Sequence, residues 1–406
     1  MAAGTLRVIV SGADITAAVT SLEHTSAVGT LGDKVAFGIP YSDLTRYNIA
    51  PIHIGDRVEI YDDDTASAAY RSGIYVRGAS NVRRFSGVIT SARYGENTRE
   101  YVAYDPMWWF GKSKITMQFV GETFREAVRS LCQELGVTLA SCPNAAATAE
   151  ETCCAETPAQ IIKKLLTRAE DMTGTRYNAR YAGTNAIAIE EVGARVSAAV
   201  LREITTPERQ EQLDDVRNRI VYVASDADGY VEEAYAEDAA SMAQYGVLQD
   251  IVIAGDDSEN ADVIVHNRLY RQRYPKPTAS LECAMDWLPK VGERIAVTVP
   301  VVQLGGEWVI ERIARTYTKG DARMKLELSM YTVTERYEAK LAAWDAINNA
   351  AISGKLDELR REAQNWSPED IEAYDAVIEE QNYGELITGQ INAQSGGPDR
   401  YIRKYE

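Results

Sequence analysis

Residues 54–60 read Ile-Gly-Asp-Arg-Val-Glu-Ile, and residues 291–297 read Val-Gly-Glu-Arg-Ile-Ala-Val. Each stretch carries a turn of glycine, acid and arginine (Gly55, Asp56, Arg57; Gly292, Glu293, Arg294) that enters a strand of alternating apolar residues. A second apolar strand follows each turn, Phe85-Ser-Gly-Val-Ile-Thr-Ser-Ala-Arg-Tyr94 in one case and Trp308-Val-Ile-Glu-Arg-Ile-Ala-Arg-Thr-Tyr317 in the other. One β-unit written twice offers two similar surfaces, and three such chains present six, enough to meet a six-fold partner. Convergence of two ordinary strand-turn-strand units is the competing reading of the motif.

Outward from the first copy, residues 5–105 read as β-structure. Leu6–Val10 is a short strand ending at Ser11-Gly12, and Val58–Tyr61 runs into Asp62-Asp-Asp64, a polar hairpin tip. Arg84–Ile89 and Arg99–Tyr104 alternate with period two, as half-buried antiparallel strands do. Asp105-Pro106 closes the unit, and Met107-Trp-Trp-Phe110 is an aromatic cluster expected in the core.

Between the copies the pattern turns helical. Thr123-x-x-Glu126 is a capping-box signature, after which Ala127, Val128, Leu131 and Leu135 share one face up to Gly136. Thr157-Pro158-Ala-Gln160 opens a second helix bearing Ile161, Ile162, Leu165, Leu166 and Ala169. A hairpin of 176–180 and 186–190 turns at Gly183-Thr-Asn185.

Around the second copy, β-structure returns with two helices inside it. Arg219–Val223 is a strand, Gly229 turns into a helix over 231–245, and Ser258 caps another that Pro275-Lys-Pro277 ends. Strands at 278–282, 291–299, 307–317 and 325–331 complete a sheet, with Gly305-Gly306 as a hairpin turn. Beyond residue 334, Tyr337, Leu341, Trp344, Ile352, Leu356 and Leu359 form a narrow stripe at helical spacing. Such a stripe wants a partner, either the β-units or another protein. These readings divide the chain into 1–112, 113–205, 206–333 and a helical extension, 334–406.

The 406 residues hold 45% apolar and 25% charged side chains, an ordinary globular balance, and no apolar run suits a membrane span. The N-terminus lacks a secretory pattern, so synthesis and folding in the cytoplasm are expected. A net charge of -17 argues against a surface that grips nucleic acid, although an acidic channel wall would let DNA pass without adhering. Four of the five cysteines (Cys132, Cys142, Cys153, Cys154, Cys283) fall within 23 residues, so a metal site is weighed. No CxxC pair occurs, and adjacent Cys153-Cys154 suits a tetrahedral site poorly, which leaves reduced thiols as the expectation. His24, His53 and His266 stand at no metal spacing, and no HExxH, GxSxG or glycine-rich phosphate loop is present. No catalytic residue, no metal and no cofactor is expected.

Taken in order, these pieces resemble the baseplate hub proteins of contractile phage tails and phage-tail-like bacteriocins, of the late control protein D type found in Gram-positive prophages. The resemblance spans about residues 5–332. It is carried by Gly55-Asp56-Arg57, Phe85–Ile89, Tyr104-Asp105-Pro106, Asp215–Val223, Tyr245–Gln249 and the closing Gly305-Gly-Glu-Trp-Val-Ile310. It implies an α+β, mainly β fold: two tail-tube-like β-barrel modules flanking a small α/β domain. It also implies a homotrimeric ring with pseudo-six-fold symmetry that joins the tail tube, or a tube initiator, to the central spike. Other baseplate proteins would surround it, DNA would be only a lumen passenger, and no membrane would be involved. The particle would be a virion or phage-tail-like assembly built in the host cytoplasm. The helical extension does not align with the family's common core. A tail-borne cell-wall hydrolase, which needs an acid pair in a cleft, and a carbohydrate-binding β-protein, which needs exposed aromatic platforms such as Trp108 and Trp109 could give, are the rivals.

Overall fold

The period-two alternation builds most of the chain. The computed structural model describes residues 6–62, 69–71, 74–76, 82–183, 185–226, 229–254, 260–318 and 321–331. The stripe at Tyr337, Leu341, Trp344, Ile352, Leu356 and Leu359 lies outside them, as do Asp63, Asp64 and Ser258.

The first unit contains β1 (Arg7–Val10), β2 (Ala13–Asp14), β3 (Ser21–Ala27), β4 (Lys34–Pro40), α1 (Tyr41–Arg46) and β5 (Arg57–Asp62). A small hairpin follows, β6 (Ala69–Arg71) and β7 (Ile74–Val76), and then the long β8 (Val82–Tyr94) and β9 (Thr98–Tyr104). Val58, Ile60, Phe85, Ile89, Tyr101 and Ala103 point inward and are buried, while their chain neighbours face out.

The middle segment holds β10 (Ile115–Thr123), α2 (Phe124–Glu134), β11 (Thr138–Ser141), β12 (Thr148–Glu156), α3 (Pro158–Thr173), β13 (Tyr177–Gly183) and β14 (Ala186–Glu191). Both helices start where the sequence places them. Thr123 and Glu126 form a reciprocal capping box, and so do Thr157 and Gln160, with Pro158 in the first helical turn. Gly174, at φ 68°, ends α3 in the left-handed conformation that glycine adopts without a Cβ clash.

The last part comprises β15 (Thr205–Gln210), β16 (Arg219–Asp226), β17 (Gly229–Glu237), α4 (Ala239–Tyr245), β18 (Gln249–Ala254), α5 (Ala261–Gln272), β19 (Thr278–Ala284), β20 (Arg294–Ala296), β21 (Glu307–Thr318) and β22 (Asp321–Met330). Here the helix expected over 231–245 is corrected. Residues 229–237 are a strand paired antiparallel with β16, and only 239–245 is helical. Asp238 decides the boundary, because its side chain accepts from the Ser241 amide and caps α4 there. The second helix starts at Ala261, and its preceding residue, Asn260, makes no side-chain cap.

Twelve strands form one sheet in the order β15-β19-β22-β21-β3-β4-β9-β8-β5-β1-β2, with β20 paired to β21. The fold is therefore mainly β with several sheets. The two expected barrels are not closed among the described residues: both repeat units belong to one open sheet joined where β3 meets β21. Closing a barrel needs a strand to return to the first, and here that edge is given to the other unit.

Three cores follow. Leu22, Phe37, Val58, Ile60 and Ile89 fill the first unit, and Leu281, Ile295, Trp308, Ile310 and Leu326 fill the second. The middle segment shares its core with the layer 219–269, so Leu131, Ile161 and Leu165 sit in one cluster with Ile220, Ile264 and Val265. The segment 206–333 thus contributes to two cores.

The aromatic cluster divides. Met107 and Phe110 are buried, but Trp109 is 53% exposed. In the 3-10 turn Pro106–Gly111, positions three apart share a face, so Met107 and Phe110 point in while Trp109 points out. It meets Trp108 edge-on at 4.8 Å, which is no flat platform for a sugar ring.

Candidate functional site: the duplicated turns and the strand junction

The two turns match bond for bond. The His53 amide donates to Asp56 Oδ2 at 2.7 Å, and the Lys290 amide donates to Glu293 Oε2 at 3.1 Å. Gly55 N donates to Ile89 O and Gly292 N to Ile310 O; in return Ile89 N donates to Asp56 O and Ile310 N to Glu293 O. Gly55 and Gly292 have φ values of 97° and 79°, which glycine adopts without steric penalty. Arg57 donates to Ser86 on β8 at 3.2 Å, and Arg294 to Glu307 on β21 at 2.7 Å. Both long strands then carry a bulge one residue on, between Ile89 and Ser91 and between Ile310 and Arg312. Convergence of two ordinary hairpins does not account for a shared bulge at a shared distance from a shared turn.

The bulge residues differ, and the difference has a use. Thr90 occupies the first bulge. Glu311 occupies the second, where it accepts two bonds from Arg176, at 2.8 and 3.0 Å, and one from Ser329. Burial pushes the Glu311 carboxyl up, but the bonds and charge of Arg176 more than offset it and leave it below the ordinary range. The second unit is thereby tied to the start of β13.

Where β3 meets β21 the strands run antiparallel from Arg312 opposite Ala27 to Thr318 opposite Ser21. Arg315 is buried at this junction opposite His24. Its Nε donates to Asp286 O at 2.7 Å and its Nη2 to Pro289 O at 2.6 Å, and the guanidinium lies 4.8 Å from the Trp287 ring centre. Burial brings its pKa down to about 10, so it remains a cation at neutral pH. Trp287, carried by the segment before the second turn, is packed in the core of the first unit. His24 Nε2 lies 3.3 Å from Asp33 Oδ2. Sequence reading missed this junction. Its one local signal is a charged residue, Arg315, at an inward position of an alternating strand.

A cleft of about 700 Å³ opens beside the junction, lined by Asp33, Asp105, Arg180, Glu190 and Arg195 among others. Glu190 and Asp105 are engaged in structure. Glu190 accepts from Arg180 at 2.6 and 2.7 Å and lies 2.9 Å from Arg195. Asp105 Oδ1 accepts from the Met107 amide at 2.9 Å, capping the 3-10 turn, and Oδ2 accepts from the Asp33 amide at 3.0 Å. Burial, then the Asp33 charge, pushes Asp105 up to about 7 against the pull of those amides. A raised folded pKa favours the neutral acid, so its stabilisation is complete below about pH 4 and is lost as pH rises toward 7. Chemical denaturation should show the wild type losing stability relative to Asp105→Asn as pH rises through that window, by up to about 1.4 kcal/mol per pH unit. A difference between the two that stays constant with pH would contradict the assignment.

Cys132, Cys153 and Cys283 are buried and Cys154 is exposed, so the adjacent pair faces opposite sides of β12. Burial lifts the Cys132 and Cys142 thiols to about 11 and Cys283 to about 12, which keeps them protonated. Among the described residues no cluster of three His, Cys, Asp or Glu side chains could hold a metal. Among the same residues, no helix is long and apolar enough to cross a membrane.

The family model described as YQBQ-like matches residues 37–329. No curated protein matches the sequence. The fold is similar to that of the 43 kDa tail protein of prophage MuSo2 from Shewanella oneidensis, with a TM-score of 0.60 at 13% identity, over 80% of this chain and 98% of that one. A tail protein from Neisseria meningitidis MC58 gives 0.59 at 14% identity, over 82% and 98%. Prophage tail protein gp18 from Listeria monocytogenes EGD-e gives 0.51 at 10% identity, over 79% and 94%. These likenesses establish the fold.

Proposed function

The chain belongs to the YQBQ-like family, and from that premise we propose that it is a structural hub in the baseplate of a contractile tail. Three chains form a ring whose six repeat units, two from each, continue the six-fold tail tube, while the three-fold axis seats the central spike. The observation that carries this reading is the duplication, matched in turn, hydrogen bond and bulge. The likeness in fold to three tail proteins supports a place in a tail particle. A net charge of -17 suits a lumen that DNA traverses without adhering. The modules are 1–112 and those strands of 206–333 that continue its sheet, with 113–205 between them in the chain, and the stripe from Tyr337 to Leu359 is the contact for a neighbouring baseplate protein.

The mechanism is geometric rather than chemical. At the cleft Asp105 caps a turn and Glu190 pairs with two arginines, which favours a structural part over a hydrolase. Light scattering on the purified chain, alone and with the neighbouring spike protein, tests the proposal. Three chains per particle support the hub; a chain that stays single under both conditions favours the hydrolase or carbohydrate-binding alternatives.

A further inference from the structure

We propose that neighbouring chains join by strand pairing between two open sheet edges, β15 of one chain docking antiparallel on Ser91–Tyr94 of β8 in the next. The inference rests on the hub reading and specifies its interface.

The repeat supplies the template. Stepping across the first unit, Ile89 pairs with Ala103, Ala103 with Val35 and Val35 with His24. Stepping across the second, Ile310 pairs with Leu328, Leu328 with Ala279 and Ala279 with Arg209. Every step is antiparallel in both units, so β3 and β15 are equivalent strands and His24 corresponds to Arg209. Within the chain, the second edge of β3 is occupied: it lies on β21, with His24 opposite Arg315. The equivalent of β21 is β8, and counting from the shared bulge makes Arg315 correspond to Tyr94.

Both equivalent edges lack a strand among the described residues. β15 ends the sheet and pairs with β19 alone. β5 reaches β8 only as far as Val88, so Ser91–Tyr94 pair with β9 and with no strand on the other side. Transferring the internal register sets Tyr94 opposite Arg209, Arg93 opposite Gln210, Ala92 opposite Glu211 and Ser91 opposite Gln212. The chemistry agrees with that register. Tyr94 is 62% exposed and would lie beside the Arg209 side chain, as His24 meets Arg315 inside the chain through an Nη1–Nδ1 contact of 3.4 Å. Each edge carries its charges in internal pairs, Arg93 with Glu100 on the first and Arg209 with Glu211 on the second.

Such a contact is heterologous, head to tail, and makes a ring if the rotation closes. If the step between chains repeats the step between units, three chains close and no edge is left open to aggregation.

The test is a disulfide scan in the full chain with Cys154→Ser, which removes the exposed thiol. Opposed residues on paired strands have Cα atoms about 4.5–5.5 Å apart, within disulfide reach. Tyr94→Cys with Arg209→Cys should shift the single-chain band to two- and three-chain bands on a non-reducing gel after oxidation. Each single variant, and the out-of-register pair Tyr94→Cys with Gln212→Cys, should leave it in place. No cross-link in a sample whose mass is three chains overturns the edge pairing and leaves the hub standing. A single-chain mass overturns both.

Discussion

Asp171→Ala is expected to destabilise the chain by about 3–5 kcal/mol, because it removes the buried carboxylate shared by two partly buried arginines, of which only Arg271 keeps a second acid, Glu170. Asp171 is buried near the end of α3. It accepts from Arg268 Nε at 2.9 Å and Nη2 at 2.7 Å, and from Arg271 Nη2 at 2.9 Å. Its backbone carbonyl accepts from Asn267 Nδ2 at 2.9 Å. All three partners lie on α5, about 100 residues further along, so this cluster holds the middle segment to the layer that shares its core. Burial lowers the Arg268 pKa, and the bonds and charge of Asp171 more than restore it. The denaturant midpoint should fall from the wild type through Asp171→Asn to Asp171→Ala. A loss under about 1 kcal/mol for the alanine variant, the scale of a solvent-screened pair, would contradict the packing of α3 on α5.

Gly87→Ala should be nearly as damaging, at about 3 kcal/mol or more, although it adds only a methyl group. A Cβ at Gly87 would overlap Tyr104 O and lie 2.7 Å from Tyr104 C and 2.5 Å from Phe85 Cζ. The carbonyl belongs to the β8–β9 ladder, where Tyr104 pairs with Val88, so it cannot yield without opening that pair. Phe85 cannot turn away cheaply either, since it is buried in the first core. Thermal melting of Gly87→Ala beside Val88→Ala, an alanine at the next, partly buried strand position, separates the clash from the effect of an alanine in β8. Equal melting temperatures would show that β8 and β9 do not approach as described.

Local signals were legible in the sequence wherever the physics is local. Thr123 with Glu126 and Thr157 with Gln160 set helix starts because the caps involve residues three apart. The glycine-acid-arginine turns were legible for the same reason, and the equivalence of the two units could be read from them. The helix expected after Gly229 failed because its residues suit either period, and pairing with β16 decided for a strand. The joining of both units into one sheet was invisible, because His24 and Arg315 are 291 residues apart. Nothing local marks β3 as the partner of β21, and the matched turns say nothing about which edge meets which. The same non-local pairing hides the Arg176–Glu311 tie, whose acid stands at a bulge that only the ladder defines.

Whether a twice-built sheet closes into a three-chain ring is tested most directly by the native mass of the purified chain. Light scattering should give about 134 kDa, three times 44.8 kDa, alone or once the spike protein is added and its mass subtracted. A mass of 44.8 kDa under both conditions would contradict the account, because two open edges and a duplicated unit would then serve no ring.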